Sequence, residues 1–230
     1  MPTRRRFVVV LIAVLAAGCG LENRRPNTVV IASGADLQSM NPVITSHPLA
    51  RQVQRYALLT TLVRYDSALR VEPYLARRWS WSSDRTILEM VIATGVPWHD
   101  GRPTTADDVA FTLGVAQDST TGYPRRRDLD QLGDAMAVDD TTISLRFLRP
   151  QDRIPDVLTD LAILPRHRFE NVAPSEMRRA AWNTRPVGNG PFRFVRHEPN
   201  RRWVFEANPD FPESLGGRPR LDRLVVAVVD

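Results

Sequence analysis

The sequence contains no lysine and a single cysteine, so each of its 31 basic residues is an arginine. Arginine hardly ever deprotonates, and this lifts the pI to 10.2 without making the chain a strong polycation. Against 26 acidic residues the net charge is +5, and without Arg4, Arg5 and Arg6 it falls to +2 (28 minus 26). The arginines form no uninterrupted stripe, since Arg125-Arg126-Arg127 is followed at once by Asp128 and Asp130. A nucleic-acid partner is therefore not expected. One thiol, Cys19, excludes an intrachain disulfide framework and a thiolate zinc cluster. Long apolar runs are also missing. Phe7 to Ala17 is 11 residues, against about 20 for a membrane span. The four histidines, His47, His99, His167 and His197, lack any metal-protease spacing, and no G-x-S-x-G is present. No enzyme, cofactor or metal is expected. What remains is ordinary for a soluble globular domain: 43% apolar and 25% charged residues over 230 positions, enough to bury a core.

The first 20 residues read as an address. Arg4-Arg5-Arg6, the apolar run and a small-residue exit form a secretory signal. The exit, Leu15-Ala16-Ala17-Gly18-Cys19, resembles the lipobox of bacterial lipoproteins, with Ala16 where that pattern prefers Leu. The resemblance implies that residues 1–18 are removed and that Cys19 carries the lipid. The polar stretch up to Asn27 then reads as a tether.

The rest of the chain mixes strands and helices, with strands in the majority. Thr28 to Ala32 reads as a strand ended by Ser33-Gly34. Arg51 to Val63 has helical spacing, and Thr86 to Ile92 is strand-like. Met136 to Val138 and Thr142 to Phe147 predict a hairpin. A second hairpin is expected from Phe192–Val195 and Trp203–Ala207, with His197, Pro199 and Asn200 in its turn. Leu224 to Val229 is apolar at every position and predicts a strand buried on both faces. Thr105 is a good N-cap, and Asp108 three residues on completes a capping box for a helix that buries Val109, Leu113 and Ala116. Asp100-Gly101 is a turn pair, and Trp98 a core aromatic. These residues read as architecture.

The same residues carry a family resemblance. Pro73-Tyr74-Leu75-Ala76-Arg77-Arg78-Trp79 is followed by Trp98-His99-Asp100-Gly101-Arg102-Pro103-Thr104-Thr105-Ala106-Asp107-Asp108-Val109. Then come Ile163-Leu164-Pro165-Arg166-His167, Pro186-Val187-Gly188-Asn189-Gly190-Pro191-Phe192 and Leu221-Asp222-Arg223-Leu224. Their content and order resemble those of bacterial solute-binding proteins of the peptide/nickel type, over residues 28–230. The departures are the strand before Trp98, which lacks a basic residue, and Asn189, which stands where Thr or Ser is common.

The resemblance implies an α/β periplasmic-binding-protein-like first lobe, near 28–60 and 165–230, with a small subdomain near 65–160. Members are about twice this size, so the second lobe is expected to be absent. It also implies binding of a solute or short peptide, delivery to an ABC importer permease, and an extracytoplasmic position held to the membrane by Cys19. The candidate ligand contacts are Ser33, Gly34, Ala35, Met40, Asn41, Asn189 and Gly190, all in loops at strand ends. The alternative is a membrane-anchored sensor or interaction lobe, or a fragment without transport function.

Overall fold

The computed structural model describes residues 27–229. Cys19 and the rest of the N-terminal address lie outside the described residues.

Strand β1 is Thr28–Ser33, a β-branched run that forms the edge of a four-stranded sheet. Next come helix α1, Pro48–Val53, and the strands β2 (Val63–Tyr65), β3 (Val71–Pro73), β4 (Ala76–Trp81) and β5 (Ile87–Ile92). Helix α2, Ala106–Gln117, leads to β6 (Leu132–Ala137) and β7 (Thr142–Phe147), and then to the short α3, Val157–Asp160. The chain finishes with β8 (Phe192–Glu198), β9 (Arg202–Ala207) and β10 (Arg223–Val228).

The first sheet has the order β1-β10-β9-β8. β1 and β10 are parallel and the other pairs antiparallel, so residues nearly 200 apart meet in one ladder: Thr28 lies beside Arg223 and Ser33 beside Val228. The second sheet, β4-β5-β7-β6, is antiparallel and drawn wholly from residues 76–147. β2 and β3 form a separate two-stranded ribbon.

Both expected hairpins form. The second has longer limbs than expected: β8 runs on to Glu198, so His197 is a strand residue paired with Trp203 and not a turn residue. The aromatic stack described below holds it in the ladder. The strand expected to be buried on both faces is central in its sheet, yet only Leu224 and Val226 are buried while Val225 and Ala227 are half-exposed. One face packs on the core and the other does not. The helix expected over 51–63 begins earlier, at Pro48, with the His47 side chain accepting the Ala50 N–H. It widens into a π-helical turn at Gln54–Leu58 and stops at Leu59, which is extended. Helical spacing persists in the sequence past this point, but the Leu58–Thr60 backbone is recruited by another loop.

Candidate ligand-binding face

The signature residues form one buried junction. Asp100-Gly101 makes a tight turn in which Gly101 takes φ 90°, a value that a Cβ would strain, and donates its N–H to the Trp98 carbonyl at 2.8 Å. This turn delivers Trp98, 1% exposed, into the core, where its Nε1 donates to Asp108 Oδ2 at 3.0 Å. Asp108 also accepts the Thr105 N–H at 3.0 Å, which closes the capping box on α2, and the Arg166 N–H at 2.8 Å. Burial, the largest influence, pushes the Asp108 carboxyl above its ordinary value, against the three donors that favour the ionised form. The Ile163–His167 element is thereby docked on α2, and His167 Nε2 adds a 2.8 Å bond to Asp100. Val109, Leu113 and Ala116 are all buried, as the helical spacing predicts.

The Gly188–Gly190 loop is held from both sides. His99 donates its backbone N–H to the Gly188 carbonyl, its Nδ1 accepts the Gly188 N–H at 3.3 Å, and its Nε2 donates to the Gly190 carbonyl at 3.0 Å. That pattern needs the neutral Nε2–H tautomer. Burial is the main reason that the imidazole pKa is pulled down to about 4. On the other side, a Cβ on Gly188 would sit 2.0 Å from the Leu58 carbonyl oxygen, and one on Gly190 would sit 2.6 Å from that of Ala57. These glycines are required for backbone-to-backbone approach, not to cradle a ligand. Asn189 is fully buried: Oδ1 accepts the Thr60 N–H at 2.9 Å and Nδ2 donates to Thr104 Oγ1 at 3.1 Å.

Two further candidates are equally enclosed. Met40 is 0% exposed, and its N–H bonds the Asn183 carbonyl. Asn41 is 0% exposed and bonds Asn183 Oδ1 and the Val43 N–H. Ser33 is buried, its Oγ donating to the Ala35 carbonyl at 2.6 Å. Gly34 and Ala35 are exposed. The structure does not bring all seven together. Asn189-Gly190 precedes the start of β8, while Ser33 aligns through Val228, Ala227 and Arg202 with its far end at Glu198. Six steps along β8 separate those ends, about 20 Å at the usual strand rise.

The Ser33 end is organised by a residue that the sequence reading missed. Asp36 accepts four donors: Trp203 Nε1 at 2.7 Å, His197 Nε2 at 2.9 Å, and the N–H groups of Asn200 at 2.7 Å and Gln38 at 3.1 Å. Burial alone would raise its pKa, but the bonds from His197, Trp203, Asn200 and Gln38 outweigh it and hold the carboxyl at about 2. Gln38 and Asn200 both have positive φ, 64° and 56°. The carboxylate thus offsets strain in two turns at once. His197 stacks on Trp203 at 3.8 Å, which fixes the hairpin against the loop after β1. An Asx-type turn in Ala35-Asp36-Leu37-Gln38 was the available signal, but the partners 161–167 residues away were not.

Beside this hub lie two shallow depressions of about 510 and 410 Å³ that share Thr184. Gln38, Arg178, Arg185 and Arg196 line them. Together they make an open, basic-leaning surface beside the Asp36 hub, and the exposed Gly34 and Ala35 follow directly on the C-terminal end of β1. A separate groove of about 300 Å³ lies at the opposite end, lined by aromatics including Tyr56, Tyr74 and Phe211, with Arg64 stacked on Tyr74. Among the described residues no helix is long and apolar enough to cross a membrane, and no group of three metal-ligating side chains is assembled.

Comparison with known proteins agrees with this geometry. The chain is 31% identical over 166 residues to a candidate ABC transporter peptide-binding protein of Brucella ovis, which covers 71% of this chain and 31% of that protein. The oligopeptide-binding protein AppA of Bacillus subtilis, solved with a nonapeptide, superposes with a TM-score of 0.82 at 26% identity, over 89% of this chain and 41% of AppA. NikZ of Campylobacter jejuni, solved with Ni(L-His), shares the fold at a TM-score of 0.77 and 22% identity, over 89% of this chain and 39% of NikZ. The chain therefore spans about a third of the length of the Brucella relative. Residues 70–230 match the family model for the middle region of bacterial extracellular solute-binding proteins, family 5, and the chain belongs to that family.

Proposed function

We propose that this chain supplies one wall of an extracytoplasmic solute-binding protein that delivers short peptides to an ABC importer permease, held at the membrane through lipid on Cys19. The observation that carries this reading is the exposed loop after β1, fastened by Asp36 to the β8–β9 turn at the C-terminal end of the parallel strands. Open α/β sheets place ligands at that end. Residues near 28–60 and 165–230 serve as the lobe that bears this wall, and those near 65–160 as its subdomain. The peptide class is taken from the relatives in Brucella ovis and Bacillus subtilis. Of the seven residues nominated from sequence, Gly34 and Ala35 offer exposed backbone to a ligand, while Met40, Asn41, Asn189 and Gly190 support the loops from beneath.

The test is a titration of the isotope-labelled chain with tri- to nonapeptides, followed by amide NMR shifts. Shifts should gather at Gly34, Ala35, Gln38, Arg196 and Asn200. Shifts confined to the Tyr56–Tyr74–Phe211 groove would refute the assignment.

A further inference from the structure

Away from that face, three guanidiniums converge on one carboxylate. Arg51 and Arg55, one helical turn apart, and Arg125 all pair with Asp160, whose side chain is 9% exposed. Arg125 also pairs with Asp128. Three positive charges face two negative ones, so the cluster keeps one uncompensated positive charge. Beside it lies a cavity of about 40 Å³ lined by Thr45, Arg51, Gln54, Tyr123, Arg125 and Asp160. That is room for about three water-sized spheres, comparable to the oxygens of one small ion. Gln54 is 1% exposed, and its Nε2 has no hydrogen-bond partner among the described residues. A buried amide donor without an acceptor is destabilising, so it calls for an explanation. Burial, chiefly, pushes the Tyr123 phenol up to about 12, so this hydroxyl also stays a potential donor. Apart from Asp160, the charged and amide side chains on the wall are donors or cations.

We infer that this cavity binds a small oxyanion, an inorganic phosphate or a free carboxylate, between the Arg51 and Arg125 guanidiniums with Gln54 Nε2 as its neutral donor. The anion would complete the charge balance and satisfy the buried amide. Guanidiniums suit this chemistry because their planar forks match phosphate and carboxylate oxygens. The site does not depend on the peptide-binding reading: it shares only Thr45 with the lining of the proposed face, and Arg51, Gln54, Arg125 and Asp160 lie off it.

Thermal unfolding of the purified chain is measured in phosphate, in acetate and in chloride at matched ionic strength and pH 7. Phosphate or acetate should raise Tm above chloride, and which of the two does so identifies the anion. Arg125→Gln should weaken the anion affinity, read from the concentration dependence of Tm, roughly tenfold or more, the worth of one charge-assisted hydrogen bond. Gln54→Glu replaces the amide donor by a carboxylate beside the anion's position, where it repels the anion and supplies the missing negative charge itself. That variant should match or exceed the wild-type Tm in chloride and lose the response to phosphate and acetate. It keeps the test decisive if Arg125→Gln fails to fold. Equal Tm in all three salts, or an undiminished anion response in Gln54→Glu, would overturn the assignment and leave the arginines as a structural ion cluster.

Discussion

Acid should open the Gly188–Gly190 loop through His99. The unfolded chain carries His99 near the ordinary value of 6.5, whereas the folded protein holds it at about 4. The folded pKa is depressed, so both states are essentially neutral above pH 7 and stability there does not vary with pH through this group. As pH falls from 6.5 towards 4, the unfolded state takes up a proton that the native state refuses, and stability is lost by up to 1.36 kcal/mol per unit. The whole window is worth roughly 3 kcal/mol, and below about 4 the loss from this group levels off. The geometry gives the reason. A proton on Nδ1 would face the Gly188 N–H, which now donates to it, and the imidazolium would have to leave its buried seat or break the loop. Urea denaturation from pH 7.5 to 4 should show the slope in the wild type. His99→Ala, less stable at pH 7, should lack that component. Parallel pH profiles for the two proteins would refute both the neutral tautomer and the role of His99 in pinning the loop.

Asp36→Ala should cost about 3 kcal/mol, because it strands the Trp203 indole N–H inside the protein and removes the acceptor shared by two strained turns; chemical denaturation measures it, and a loss under 1 kcal/mol would argue against the hub. Gly188→Ala should cost about 3 kcal/mol by forcing the Leu58 backbone away, while Gly34→Ala, where a Cβ meets nothing within 4 Å, should be near neutral in the same measurement. Cys19→Ala should abolish acyl modification, read by mass spectrometry of membrane-extracted protein; unchanged acyl mass would exclude Cys19 as the lipid site. By themselves these 230 residues should bind a peptide no tighter than about 1 mM, or about 4 kcal/mol, because the chain spans only 41% of AppA; micromolar binding by calorimetry would place a complete site within this chain.

The fold is legible where local chemistry and tertiary packing agree. The period of α2, its Thr105 start and the alternation in β7 are each consistent with the contacts they make. Legibility fails where distant backbone intervenes. Nothing local to Arg51–Val63 announces that Leu58 and Thr60 will bond the Gly190 N–H and Asn189, so the spacing predicts a helix that runs five residues too far. The same blindness affects the choice of site. Asn41 and Asn189 are polar loop residues, the usual mark of a ligand contact, yet each is buried with its amide engaged by partners 142 and 129 residues away. Asp36 errs in the opposite sense. Its local sequence is that of an ordinary turn residue, and only the β8–β9 hairpin supplies the donors that make it a hub.

This division explains why the family can be read from the sequence more readily than the ligand. The residues that carry the resemblance, Trp98, His99, Asp108 and the glycines at 188 and 190, are buried or half-buried. Each answers to a packing demand that any member of the fold would face: a capped helix, a docked segment, two backbones in contact. Rare residue types at fixed spacing are the result. The proposed ligand face makes no such demand. Asp36 holds its loop from behind, so the exposed positions in front, Gly34, Ala35 and Arg196, can change with little consequence for the fold. AppA and NikZ superpose on this chain at TM-scores of 0.82 and 0.77, although one was solved with a nonapeptide and the other with Ni(L-His). One scaffold can carry different cargo when stability resides in buried hubs and recognition in the small exposed loops they hold still.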